Sequence, residues 1–206
     1  MKIKSIEAIC KKTKQVVIFE RQDTADETVQ YLGDGNAMFL ISGLPKLDED
    51  SILTIFDVPE KTREKWYVST KTIPEAICVE DIDPTERVIE KEPISVTYMG
   101  KNLKPFQTSR GIIFIDSRYF VPLADVMDVV EVYERVTPNG APYVAAKVGF
   151  LLQAVIMPVN IINEKFVETM QRLTGLCEKN LRKPVDPEPE EEQQCSMYNN
   201  SGGTAK

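Results

Sequence analysis

The chain has 206 residues with 25 Lys and Arg, 32 Asp and Glu and no histidine. The missing imidazole excludes Ser-His-Asp and Cys-His nucleophile systems, His-ligated zinc and histidine pH switches. Hydrophobic residues at 42% and charged ones at 28% are ordinary globular values, and a formal charge of −7 excludes a protein that coats itself on nucleic acid over its whole surface.

Residues 3–10 and 16–19 read as β-strands joined by a Lys11-Lys12-Thr13-Lys14 turn. Residues 29–32 and 37–41 flank Gly33-Asp34-Gly35-Asn36, whose Asp-Gly and Gly-Asn steps tolerate the positive φ of a tight hairpin. No Lys-Ser/Thr and no helical pattern follows this turn, so it is read as a hairpin and not as a phosphate cradle. The N-terminal part, 1–50, is thus expected to be a β-hairpin region.

From residue 51 a second pattern begins. Residues 52–56 read as a short strand, and Asp57, Pro59 and Glu60 supply a cap, a tolerated proline and a capping-box position for a brief helix ending near Trp66. Strands are expected at 66–69, 75–79 and 94–99. The order returns with a strand at 111–115, a helix capped by Asp116 or Ser117 with Phe120, Leu123, Met127 and Val130 at helical spacing, and strands at 130–136, 143–148 and 150–159. Pro122 is expected to disturb that helix. The predicted fold is α+β: a body over 51–162 built from largely antiparallel sheets and two short helices in a doubled β-α-β-β-β arrangement, 51–99 and 111–159. Two explanations stay open for the doubling, a true internal repeat and two strand-acid-helix junctions produced by capping alone.

A C-terminal helix is predicted over 163–183, capped by Asn163, with Phe166, Met170, Leu173 and Cys177 in a 4-3-4 stripe that packs on the body or pairs as a coiled coil. Residues 184–206 hold five acids and one lysine, so residues 1–183 carry only −3. Pro- and Glu-rich and without an apolar face, this end is expected to be a disordered acidic tail.

Chemistry is sparse. Cys10, Cys78, Cys177 and Cys195 stand far apart without a CxxC, which gives neither a zinc signature nor a disulfide framework; the first three are read as reduced, core-filling thiols. Glu80-Asp81-Ile82-Asp83 precedes Pro84 and reads as a solvated loop, not a metal site. The expectation is no enzyme, no catalytic residues, no metal and no cofactor. Basic residues crowd two places: Lys61, Arg63, Lys65 and Lys71 around the first helix, and Lys101, Lys104, Arg110 and Arg118 around the second strand-helix junction. Side by side on one sheet face they would form a phosphate-facing stripe; the alternative is a solvated face of mixed charge, since Glu60, Glu64, Asp125 and Asp128 share those helices. No stretch is long and apolar enough for a membrane span, and the basic start lacks an apolar segment behind it, so a cytoplasmic chain with no membrane partner is expected.

Residues 111–161 carry a family likeness. The run Arg118-Tyr119-Phe120-Val121-Pro122-Leu123-Ala124-Asp125-Val126, the strands at 130–136 and 142–148, and the closing Leu151-Leu152-Gln153-Ala154-Val155-Ile156-Met157-Pro158-Val159-Asn160-Ile161 resemble the final module of bacterial DNA sliding clamps, the polymerase processivity factors. The chain departs from that pattern at Asn160, where the family has Arg, at Pro122, and in continuing into a further helix. The resemblance implies a non-catalytic homo-oligomer that encircles double-stranded DNA without sequence preference. By position, Lys61, Arg63, Lys65 and Arg118 would then face the duplex, and Met157, Pro158 and Val159 would line a groove for a replication-protein peptide. The alternative function is a small α+β protein-binding adaptor, phage or prophage derived, with no DNA contact.

Overall fold

The computed structural model describes residues 3–23 and 28–182, and the chain divides into two compact units, Met1–Ile161 and Ile162–Lys206. The expected acidic tail, 184–206, lies outside the described residues.

The first unit opens with a helix, Ile3–Thr13 (α1), where the sequence predicted a strand. Ile6, Ile9 and Cys10 are buried, a helical spacing; the β-branched isoleucines bias such a run toward a strand reading, but period outranks propensity. Gln15–Gln22 (β1), Thr28–Gly33 (β2) and Ala37–Ile41 (β3) then form an antiparallel meander, and the β2–β3 hairpin turns on Gly33-Asp34-Gly35-Asn36 as expected. A Cβ on Gly33 would stand 1.7 Å from the Ala37 carbonyl oxygen, so only glycine closes this hairpin.

The predicted strand at 52–56 is instead part of a helix, Glu49–Ile55 (α2). Asp48 and Ser51 form a reciprocal capping box one turn earlier, with Ser51 N donating to Asp48 Oδ1 at 2.7 Å and Asp48 N to Ser51 Oγ at 2.8 Å. Asp57, expected as a cap, is a left-handed turn residue, φ 48°. The helix predicted after it shrinks to Glu60–Arg63 (α3). Tyr67–Thr72 (β4) follows, then the irregular segment 73–86 where a strand was expected at 75–79, then Arg87–Val88 (β5) and Val96–Tyr98 (β6). Residues 51–99 therefore contain no β-α-β-β-β unit.

Lys101–Thr108 (β7) pairs with β6 on one side and with Gly111–Asp116 (β8) on the other in a three-stranded sheet. Ser117–Val129 is wound as a 3₁₀ helix with Pro122 inside it, the proline having removed one helical donor. Val130–Val136 (β9), Pro142–Val148 (β10) and Leu151–Ile156 (β11) complete the unit. The large sheet has the order β4-β1-β2-β3-β11-β10-β9-β5, antiparallel except for β1 with β4. The fold is α+β, with two mostly antiparallel sheets.

A doubling does exist: the predicted unit 111–159 keeps its order of strand, helix and three strands, but its counterpart lies before residue 42 and not at 51–99. One helix and three strands, α1-β1-β2-β3, meet a second helix and three strands, the 3₁₀ segment with β9-β10-β11. Their last strands pair centrally, Phe39 with Ala154, Met38 with Val155 and Ala37 with Ile156, and α1 packs against the 3₁₀ segment. Residues 1–50 are thus no separate region: β3 and β1 are internal strands of the same sheet as β11.

Both faces of this sheet are buried. Val16, Ile18, Leu32, Phe39, Val144, Ala146, Ala154 and Ile156 pack under the helices, while Val17, Phe19, Tyr31, Met38, Tyr143, Ala145 and Val155 pack on the other face with Val79, Ile73 and Ile77. The strands read as continuous apolar runs for that reason. A bulge between Ala146 and Lys147 shifts the β10–β11 register and turns Leu152 onto the same face as Val155.

In the second unit Glu164–Leu181 (α4) is capped by Asn163, whose Oδ1 accepts from Phe166 N at 3.0 Å. This is the one longer C-terminal helix predicted. None of its residues is buried, and Cys177, read from sequence as a core thiol, is exposed.

Candidate functional site

The face of the large sheet opposite the helices is covered by the irregular segment 73–86. With no regular ladder, its backbone is held by side chains of the strands beneath. Arg135, fully buried, donates to the carbonyl oxygens of Cys78 (3.1 Å), Glu80 (2.9 Å) and Asp81 (3.3 Å) and to Glu86 Oε2 (2.7 Å). Lys147 donates to Glu86 Oε1 at 2.8 Å. Tyr143 Oη accepts from Cys78 N at 3.0 Å, Tyr31 Oη donates to Val79 O at 3.3 Å, and Asp81 Oδ1 accepts from Leu152 N at 2.8 Å. Two buried cations sharing one carboxylate and several carbonyls satisfy a buried polar layer that would otherwise be costly.

These bonds move the local acidities. Burial alone would raise the Glu86 carboxyl, but hydrogen bonds from Lys147 and Arg135 outweigh it and hold the group below its ordinary value. Asp83 behaves likewise, burial being overcome by hydrogen bonds from Thr85. Burial pushes the Tyr31 hydroxyl up to about 12. Glu80-Asp81-Ile82-Asp83 is accordingly part of a latch and not simply a solvated loop: Asp81 and Asp83 both accept specific bonds. Among the described residues no group of three or more potential ligands is placed to hold a metal.

Where the latched segment meets two turns, it leaves an apolar cleft of about 390 Å³. Phe19, Met38 and Val155 line it from the strands, Pro74, Ala76 and Ile77 from the segment, Thr137, Asn139 and Ala141 from the β9–β10 turn, and Met157 from the chain leaving β11. Met157 N donates to Asn36 O at 2.8 Å, which fixes the methionine against the β2–β3 hairpin. Thr137 Oγ1 accepts from Ala141 N at 2.9 Å and also bonds Asn139, which makes a rigid rim. Rigid apolar walls with a few amides at the edge suit a large apolar side chain and offer no acid, base or nucleophile.

Of the predicted groove, Met157 lines this cleft. Pro158 and Val159 are not among its lining residues; Val159 N instead donates to Phe114 O at 2.7 Å, joining the chain to the small sheet. Phe19, Met38 and Val155 were missed because their strands gave no sign of which face would be left partly uncovered.

The predicted basic stripe is dispersed. Arg118 is withdrawn from solvent: Nη2 pairs with Asp34 Oδ2 at 3.2 Å and donates to Tyr119 Oη at 2.6 Å, and Nε lies 3.2 Å from Asp116 Oδ2. Its charge is matched by two carboxylates. Arg63 donates to Val58 O and Thr54 Oγ1, and Lys71 sits over the Tyr67 ring. Lys104 lies over Phe120, and burial together with the nearby Lys91 charge holds its ammonium below the usual lysine pKa. Arg110 lies beside Gly140. Lys61, Lys65 and Lys101 are exposed. The helix beside the 3₁₀ segment is α1, not the 57–66 helix on which the stripe depended. The exposed 3₁₀ surface carries Asp125 and Asp128.

No helix among the described residues is long and apolar enough to cross a membrane. Compared with protein-family models, with curated proteins and with solved structures, the chain matches none of them.

Proposed function

We propose that this chain is a non-catalytic protein-binding adaptor that seats a large apolar side chain of a partner peptide in the cleft walled by Met157, Phe19 and Ile77. One observation carries the reading: a preformed apolar cavity of about 390 Å³, latched by buried ion pairs and free of reactive groups. The volume accommodates one aromatic or two aliphatic side chains, the usual anchors of peptide recognition. Selection of displayed peptides against the full chain tests it. Peptides with a Phe, Leu or Trp anchor are expected to be enriched and to lose at least about tenfold in affinity to Ala141→Trp, an exposed position whose new indole fills the cleft. Enriched peptides that bind the Ala141→Trp variant as well as the natural chain would overturn the proposal.

A second reading, a clamp-like homo-oligomer on double-stranded DNA, is favoured by the doubled helix-and-three-strand halves with their helices side by side, and by Lys4, Lys11 and Lys12 exposed on α1. It predicts salt-sensitive retention on circular duplex DNA that is lost when the circle is cut. Monomers in solution with no retention at low salt would remove it.

A further inference from the structure

A second cleft, sharing no residue with the apolar one, lies where α1 ends and β4 begins. It encloses about 300 Å³ and is lined by Lys11, Lys14, Asp57, Val58, Pro59, Thr62, Lys65 and Trp66. Its lining therefore carries three lysines and one aspartate. A second carboxylate, Glu7, pairs with Lys11 from one helical turn earlier. Lys14 and Asp57 are two of the three non-glycine residues with positive φ among those described, at 53° and 48°. Such backbone costs on the order of 1 kcal/mol each and gathers where a local geometry has a use. Here it turns the chain out of α1 and out of α2 at the same cleft. The bottom is closed by Tyr67 N donating to Lys14 O at 2.9 Å. The indole of Trp66 is half-buried, edge-on to Phe56 with ring centroids 6.4 Å apart, so its plane is fixed by the core while the ring still lines the cavity.

Lysines around a fixed indole are the elements of single-strand recognition: cations for successive phosphates and a flat surface for an unpaired base. The cavity has room for one nucleobase. A duplex keeps its base faces stacked inside and can reach only the lysines. We infer that the Lys11–Lys14–Lys65–Trp66 cleft binds single-stranded nucleic acid, stacking one base on Trp66 and placing its flanking phosphates against the three lysines. The near balance of charge over residues 1–183, −3, permits such a local site.

Trp66 is the chain's one tryptophan, so its fluorescence reports on the cleft alone. Titration of the full chain with a ten-residue oligothymidylate at low salt is expected to give saturable quenching. Log affinity should fall with log salt at a slope of about −2, three contacts at about −0.7 each on a single strand. Lys14→Asn keeps the left-handed backbone, which asparagine tolerates, and Lys65→Gln changes an exposed side chain; each should shallow the slope by about 0.7 with an unchanged thermal melt. The inference is overturned if no quenching is seen, if an abasic oligomer of equal charge or a poly-glutamate peptide quenches as well, or if a duplex of equal length binds more tightly. Because the apolar cleft contributes none of these residues, the outcome is independent of the adaptor proposal.

Discussion

Asp34 and Arg118, eighty-four positions apart, form an ion pair of 3.2 Å in which the aspartate side chain is fully buried and the arginine 19% exposed. The pair ties the β2–β3 hairpin turn to the start of the 3₁₀ helix, so it fastens one α-β-β-β half to the other. Asp34 also accepts from Tyr119 Oη at 3.0 Å and, at its second oxygen, from Asn36 N and Ala37 N at 3.0 and 3.2 Å. Asp34→Ala is expected to cost about 3 kcal/mol or more, because it takes one of two carboxylates from Arg118 and leaves the Tyr119 hydroxyl and the Asn36 and Ala37 amides without their acceptor. Arg118→Ala should cost a similar amount for the converse reason. The double variant should fall well short of the sum in urea unfolding; additive losses would show that the two side chains do not share one network.

Acid should loosen the segment 73–86. Glu86 has its folded value held below the ordinary 4.5, so the stability it contributes is complete above about pH 4.5 and is lost as pH falls through the lower folded value. Asp83 adds a dependence of the same sign. Thermal melts between pH 6 and pH 3 are expected to fall, and Glu86→Gln should flatten that fall while lowering the melt at pH 6. An equal slope in the variant would locate the acid sensitivity elsewhere.

Gly33 and Gly43 separate two ways in which a glycine can be needed. A Cβ at Gly33 meets the Ala37 carbonyl oxygen at 1.7 Å, whereas Gly43, φ 72°, has nothing within 4 Å. Gly33→Ala should lower the melting temperature by roughly 10 °C, since backbone must move. Gly43→Ala should cost only the left-handed strain, about 1 kcal/mol. Calorimetry on the two variants distinguishes them.

The thiols should differ sharply in reactivity. Burial, with the Asp34 carboxylate nearby, pushes Cys10 up to about 12, while Cys177 is exposed. In a Cys195→Ser background, Cys177 should react with a disulfide reagent within seconds at pH 8, Cys78 more slowly because burial raises it, and Cys10 only on denaturation. Rapid titration of three thiols in the native protein would contradict the packing of α1.

Local chemistry was legible where one short stretch decides the outcome. The Gly33-Asp34-Gly35-Asn36 hairpin, the disturbed helix around Pro122, the strands from 111 to 156 and the Asn163-capped helix follow from turn residues, a missing donor, apolar runs and a cap within a few positions of one another. The Asp48-to-Ser51 capping box was equally local and would have marked α2; the β-branched run behind it read as a strand instead. The isoleucines of α1 misled in the same way, since their preference for strands is weaker than the helical face they bury.

What only the tertiary structure decided is which distant residues meet. The sequence by itself determined an α+β chain without histidine chemistry, with an apolar content sufficient for a core and a nearly balanced charge before the tail. Folding chose α1 over the 57–66 segment as the partner of the 3₁₀ helix and set Arg118 against Asp34, whose fully buried carboxylate needs a cation and hydrogen-bond donors around it. It also set Met157 beside Phe19 and Ile77, and Trp66 beside Lys11, Lys14 and Lys65. No spacing along the chain encodes those two clefts; the first arises where β1, β3 and β11 share one sheet, the second where β1 and β4 pair and bring the end of α1 beside residues 57–66.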